Sequence, residues 1–427
     1  MGGEYRKKRS LYECKMVVWR GAIMNKYIKY YVFVLIIGII LTGCHKNTVT
    51  LTDDTWYIVD NNTILMLCED AEQEPYKTLV TQLKGNGDAL RSSIEKLTEM
   101  KSDVKTENAL GVAYLRLRKF EDAKRYLETA LNLSVTEEQK ACVLTNLSAY
   151  YLFQGKSNEA YSYSEQAYKT NISDSIKRLI LDSNMLMVRY IKNTETNNKK
   201  TIKEGKKLIK EEKKLLGCNK EIGIFNYYIL AKANYNSGNN DFGDFYMKKA
   251  LRLNNKTYQR NYIEANLYQE MSYYYFYYWN NFDKAIECAT KSIEILEKWQ
   301  AKDHYDLLIA YYKRGDLYYL HYDNSKALDD YEIALEQCSS YPALASLLYF
   351  ELGNIYERLE QFDKSAECFI RSYFIWQQEK FEAPLGLNKD ILEYVYDNLV
   401  QTDLDYESWS QEQLKQAEID IKDKWGE

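Results

Sequence analysis

The chain has 427 residues with only 3 Pro and 18 Gly, 46% hydrophobic and 28% charged, which excludes collagen-like, Pro-rich and disordered classes and suits long helices. The net charge of −5 is split: residues 1–44 carry eight Lys or Arg against two Asp or Glu, and the remainder is acidic, so a nucleic-acid footprint is excluded. Tyr supplies 41 residues and His only 3, which leaves little for histidine-based or metal chemistry.

In chain order, the first element is an uncharged run from Tyr30 to Leu41, YYVFVLIIGIIL. As a helix it reaches about 18 Å, short of the roughly 30 Å of a bilayer core. It has the length of a signal-peptide core, with Lys26 and Lys29 as its charged flank. The run ends in Leu41-Thr42-Gly43-Cys44, which resembles the bacterial lipobox. The resemblance implies that a signal peptidase recognises Leu41, Thr42 and Gly43, that the Cys44 thiol takes a diacylglyceryl group, and that cleavage makes Cys44 the new N-terminus. It also points to Met24 as the start, because the segment from there to Cys44 is a complete signal. The expected location is the extracytoplasmic face of the cell membrane, where two acyl chains suffice for stable attachment.

Residues 45–75 read as a tether and 76–102 as a leading helical cap. A repeat follows. Units started at residues 104, 141, 224, 266, 308 and 346 align three columns of small residues. Position 8 holds Gly111, Ser148, Ala231, Tyr273, Gly315 and Gly353; position 20 holds Ala123, Ala160, Gly243, Ala285, Ala327 and Ser365; position 27 holds Ala130, Ala167, Ala250, Ser292, Ala334 and Ser372. Tyr273 is the one misfit. Position 11 is aromatic at Tyr114, Tyr151, Phe276, Tyr318 and Tyr356, with Asn234 in the remaining unit. Small residues let two antiparallel helices approach, and the ring fills the space between them.

This pattern resembles the tetratricopeptide repeat, most closely from Asn108 to Leu133, although the Pro expected near position 32 is missing throughout. The implied fold is all-α: a right-handed α-solenoid of about seven helical hairpins over residues 76–381, with capping helices in 382–427. The units lie near 104–137, 141–174, 224–257, 266–299, 308–341 and 346–379, with a degenerate hairpin over 175–223. In that hairpin Ile202, Gly205, Leu208, Ile209, Leu215 and Leu216 form one stripe, ringed by lysines from Lys199 to Lys214 that read as a solvated face. Spacings of 42 residues exceed the usual 34 by about one turn per helix. Similar spacing occurs in kinesin light chains and Gram-positive peptide-sensing regulators, a likeness of shape alone. Pro342 suits the first turn of a helix.

In this repeat, positions 2, 5, 9 and 12 of each first helix line the concave surface. Early units present small or aliphatic groups there, among them Val112, Leu115, Thr145 and Ala149. Later units supply the candidate ligand-binding groove: Phe225, Tyr228, Lys232, Tyr235, Glu270, Tyr274, Tyr277, Tyr312, Asp316, Tyr319, Phe350 and Asn354. Tyr gives broad apolar area plus a hydroxyl. The competing reading is that the longer helices pack these rings into neighbouring hairpins. No position 5 holds Lys, so the family's carboxylate clamp for chaperone tails is unmatched.

Cys68, Cys142, Cys218, Cys288, Cys338 and Cys368 contain no CxxC pair and scatter along the repeats, so they read as buried thiols. No nucleophile elbow, phosphate loop or HExxH occurs, and Gly85-Asn86-Gly87 reads as a turn. His45, His304 and His321 are dispersed, and Glu270 with Asp316 form a glycosidase-like pair only if their separation allows. No catalytic residue, metal or cofactor is assigned. The expected function is a membrane-anchored lipoprotein that binds an extracytoplasmic protein or peptide in the groove. The alternatives are a carbohydrate-binding surface lipoprotein, with glycan stacked on Tyr faces, and a structural assembly factor of an envelope complex.

Overall fold

The computed structural model describes residues 57–60, 63–68, 74–84, 87–192, 198–217, 221–257, 262–299, 302–379, 390–400 and 402–425. The lipobox residues Leu41, Thr42, Gly43 and Cys44, and Cys218, lie outside them. One compact unit comprises Asp53–Glu212 with Asn219–Glu427, and the other, Met1–Thr52 with Lys213–Cys218, is described only at the end of one helix. Among the described residues no helix is long and apolar enough to cross a membrane.

Two strands, β1 (Tyr57–Asp60) and β2 (Thr63–Met66), precede the helices and pair antiparallel with Ile58 opposite Leu65. The leading helices are α1 (Tyr76–Lys84) and α2 (Gly87–Thr98). Hairpins follow in series: α3 (Val104–Arg116) with α4 (Phe120–Leu133), α5 (Glu137–Phe153) with α6 (Ser157–Lys169), and α7 (Ser175–Lys192) with α8 (Asn198–Leu216). The later ones are α9 (Glu221–Tyr235) with α10 (Asn240–Thr257), α11 (Tyr262–Tyr277) with α12 (Phe282–Trp299), α13 (Tyr305–Leu320) with α14 (Asn324–Glu336), and α15 (Pro342–Arg358) with α16 (Phe362–Glu379). Two helices, α17 (Ile391–Asn398) and α18 (Tyr406–Trp425), pack on α16. The fold is a tetratricopeptide-like helical solenoid.

Local chemistry explains the boundaries. Asp103 caps α3 by accepting from Thr106 N at 2.8 Å, Thr136 and Gln139 form a capping box on α5, and Pro342 opens α15. In six of the seven hairpins the first helix ends in a left-handed residue at position 15: Arg118, Gly155, Gly238, Asn280, Tyr322 and Glu360. The amide that follows reaches back five residues in most units, as in Lys119 N to Tyr114 O.

Positions 8 and 24 are matched in size. A Cβ on Gly111 would lie 2.5 Å from Leu127, one on Gly315 2.5 Å from Tyr331, and one on Gly353 2.7 Å from Phe369. Small residues are therefore demanded by large ones across the hairpin. Tyr273 breaks the column because α11 carries one extra residue before its turn. The amide of Asn281 reaches back six residues, to Tyr275 O, so Ser272 occupies position 8 and donates to the position-20 carbonyl of Ala285 at 2.7 Å. Ser148 does the same to Ala160 O at 2.8 Å. In α11 the frame moves back by one, and Tyr275 rather than Phe276 fills position 11.

Residues 45–75 are not simply a tether, since 57–66 form the hairpin. In β2 the Ile64, Leu65 and Met66 side chains are fully buried, lying against α5 and α7, while β1 meets α9. Asn146 Oδ1 accepts from Met66 N at 2.8 Å, and the Nδ2 groups of Asn108 and Asn146 donate to Met66 O at 2.9 and 2.7 Å. Both main-chain groups of Met66 are thus satisfied without a third strand. The aliphatic inner residues Val112, Leu115 and Ala149, and with them Thr145, are buried rather than open to a ligand.

The degenerate hairpin keeps its expected polarity: the eight lysines of α8 are exposed, and Gly205 of α8 lets Leu186 of α7 and Leu230 of α9 close in.

Candidate functional site

The first helices α9, α11 and α13 carry a chain of charges on facing turns. Lys232 Nζ donates to Glu270 Oε2 at 3.1 Å and to Tyr228 Oη at 3.2 Å, and Lys313 Nζ donates to Gln269 Oε1 at 3.1 Å. Burial alone would raise the Glu270 pKa, but Lys232 and Lys313 together bring it below the usual carboxylate range. Lys313 is pushed below the ordinary lysine value by burial and by Lys232, although Glu270 opposes the shift. Its side chain is walled by protein yet open to solvent.

The early repeats close this region. Arg116 Nη1 lies 2.6 Å from Asp306 Oδ2, and Arg118 Nη2 3.1 Å from Asp306 Oδ1, all three side chains buried. Arg116 stacks over Tyr262 at 3.9 Å and Arg118 over Phe153 at 4.1 Å. Burial would raise Asp306, but the two guanidiniums hold it well below the usual range. His304 Nδ1 accepts from Asp306 N at 3.2 Å and caps α13.

Between these groups lies a cavity of about 660 Å³, lined by Arg118, Phe120, Phe153, Tyr190, Lys232, Asn266, Gln269, Glu270, Tyr273, Tyr274, Asp306, Ile309 and Lys313. Gln269, Glu270, Tyr273 and Lys313 also wall an adjoining space of about 260 Å³, whose far side is Tyr277, Tyr312, Asp316 and Leu320. Asp316 accepts from Tyr331 Oη at 2.6 Å, and burial raises it to about 6. Burial and the Asp316 charge raise Glu351 to about 7. A separate cavity of about 440 Å³, between α14, α15, α16 and α18, is smaller, and its Arg371 is committed to Asp420 at 2.7 Å. In the 660 Å³ cavity Arg118 is spent on Asp306 and Lys232 on Glu270, while Lys313 meets only an amide oxygen in a direct bond. Among the described residues Lys313 is thus a cavity-lining cation that meets no carboxylate in a direct bond, and it stands beside the faces of Tyr273 and Tyr274.

Of the residues expected in the groove, Lys232, Glu270 and Tyr274 line the larger cavity, and Tyr277, Tyr312 and Asp316 the smaller. Tyr228 lies beneath Lys232, Tyr319 is covered by the Arg358 guanidinium at 3.7 Å, and Asn354 donates to Glu351 at 3.2 Å. Phe225, Tyr228, Tyr235 and Phe350 are corrections: each is buried, not ligand-facing, and Tyr274, which borders the cavity, is buried as well. Tyr235 stacks on Tyr274 at 3.9 Å and fills the space that Gly243 leaves, and Phe350 packs on Phe369 in the core under α17. The competing expectation, rings packed between hairpins, describes these. Sequence reasoning missed Arg116, Arg118, Asp306, Gln269, Tyr273 and Lys313. The misfit of Tyr273 in a column of small residues was the signal for two of them, because shifting α11 by one residue turns Gln269 and Tyr273 inward.

Residues 108–134 and 347–373 match the tetratricopeptide repeat family. No curated protein matches the chain. Among solved structures it resembles a Rap protein complexed with competence and sporulation factor, at 10% identity and a TM-score of 0.50, over 82% of this chain and 96% of that one. It also resembles BtubC from P. vanneervenii, at 16% identity and a TM-score of 0.43, over 55% of this chain and 93% of that one.

Proposed function

We propose that the chain is a binding module, not an enzyme, that holds a short extended peptide or a protruding segment of an extracytoplasmic protein in the cavity between α9, α11 and α13. The observation that carries this reading is the cavity itself: about 660 Å³, roofed by Arg118 and lined by Tyr273, Tyr274, Lys232 and the solvent-reached Lys313. Rings supply sequence-tolerant contact area and the lysine fixes an acidic group. The solved Rap protein of similar fold is complexed with competence and sporulation factor by its own description, which accords with a binding role without carrying the reading.

The same reading places the module on the outer face of the cell membrane, anchored through an acylated Cys44 after cleavage behind Gly43. Two experiments test it. A pool of random short peptides is passed over the immobilised protein. The wild type retains a subset, and a variant with Tyr273→Ala and Lys313→Ala loses it; equal retention by both, or capture of glycans in place of peptides, overturns the assignment. For the anchor, labelling cells with a clickable palmitate analogue marks the wild type and not Cys44→Ala, and continued labelling of the variant overturns it.

A further inference from the structure

Two cysteines 74 positions apart in sequence meet at the contact between the N-terminal hairpin and α5. The chain leaving β2 runs along one face of this helix: Met66 is held by Asn146, the Leu67 carbonyl faces Cys142, and Cys68 reaches Gln139. The contacts are reciprocal. Cys142 Sγ lies 3.5 Å from the carbonyl oxygen of Leu67, the residue before Cys68, and Cys68 Sγ lies 3.9 Å from the carbonyl oxygen of Gln139, one turn before Cys142. Each sulfur therefore abuts main chain close to the other cysteine, and a disulfide between them requires their Cα atoms to stand about 4.4–6.8 Å apart.

We propose that Cys68 and Cys142 close a disulfide that staples β2 to α5. Cys288, Cys338 and Cys368 lie in later hairpins, on α12, just after α14 and on α16. Since Cys68 and Cys142 are themselves buried in the folded chain, the exchange runs while the hairpin docks. The thiolate of Cys68 attacks an external disulfide such as oxidised glutathione and expels one glutathione thiolate. The thiolate of Cys142 then attacks the mixed disulfide at the Cys68 sulfur and expels the second. Two protein thiols are oxidised, one external disulfide is reduced, and the two protons pass through solvent to the glutathione thiolates. The product fixes the extended segment across the inner face of the early repeats, which leaves the later repeats as the open part of the groove.

The full chain, purified in detergent, is refolded with oxidised glutathione, capped with iodoacetamide and digested without reductant for mass spectrometry. A linked peptide pair containing Cys68 and Cys142 is expected as the main oxidised species, lost in Cys142→Ser, and the melting temperature of the wild type is expected to rise on oxidation with no rise in the variant. Recovery of both cysteines capped or as separate glutathione adducts, or of Cys68 joined to another cysteine, overturns the proposal. Because the oxidant is added in vitro, this outcome does not depend on whether the chain is exported.

Discussion

The guanidinium of Arg118, at the left-handed turn position of the first hairpin, sits 3.1 Å from the carboxylate of Asp306, 188 residues later at the start of α13. Contacts in a helical solenoid run mainly between neighbouring units, so this pair and Arg116 tie together units far apart in sequence. Asp306→Asn removes the negative charge and leaves two buried guanidiniums facing a neutral amide. The expected cost is about 3–5 kcal/mol, read by urea unfolding at pH 7. The pH dependence has a fixed sign. Asp306 titrates lower folded than at its ordinary value of 3.8, so the pair contributes fully above about pH 4 and its contribution fades as the pH falls below that. The Asn variant should show a weaker acid destabilisation than the wild type.

Gly315 and Tyr331 test the size matching between positions 8 and 24. A Cβ at 315 would stand 2.5 Å from the Tyr331 ring, and the ring cannot retreat freely because its hydroxyl donates to Asp316. Gly315→Ala should therefore destabilise by about 1–3 kcal/mol despite the better helix propensity of Ala. Adding Tyr331→Ala, which removes the ring that the new Cβ meets, should make the Gly315→Ala step cost less in a double-mutant cycle.

Asp316 and Glu351 set an opposite pH trend. Their ordinary values are 3.8 and 4.5, and in the fold they rise to about 6 and about 7. The folded chain keeps these protons after the unfolded chain has lost them, so stability falls as the pH rises from about 4 to about 7, and the full cost is present above that. Glu351→Gln should change little at pH 4 and stabilise at pH 8 by up to about 2 kcal/mol, once solvent screening of a part-exposed group is allowed for. Thermal unfolding of both proteins at the two pH values checks this.

The hairpins were legible because their cause is local. Gly111, Ala123 and Ala130 must be small for two adjacent helices to pack, and that requirement recurs at a fixed period. Where the period slipped, a fixed frame misassigned faces: the extra residue in α11 put Tyr274 where Tyr273 belongs. The β-hairpin was hidden because it is too short to show a period and is held by Asn108 and Asn146 side chains rather than by further strands. Arg118 could not be placed in the site by any repeat rule, since its partner is set by the path of the whole stack. Tyr235 and Phe350 looked like groove residues because a helical position fixes direction, while the neighbour that covers the ring comes from elsewhere in the fold.

Lys232 and Lys313 separate support from recognition. Lys232 is bonded to Glu270, so Lys232→Met should leave a carboxylate at the cavity floor without its direct partner and cost about 3 kcal/mol. Lys313 is held at a pKa below its ordinary value, which means that folding opposes its charge. A lysine so depressed binds its proton less well folded than unfolded, so stability rises as the pH climbs through its folded value toward 10.5. Lys313→Met should therefore leave the fold at least as stable at pH 7 and flatten that alkaline rise. If Lys313 fixes an acidic group of the ligand, the same substitution should weaken retention of the bound peptides at least about tenfold, with Lys313→Arg keeping most of it. A Lys313→Met protein that binds as the wild type does would assign the lysine to the cavity wall and leave recognition to Tyr273 and Tyr274.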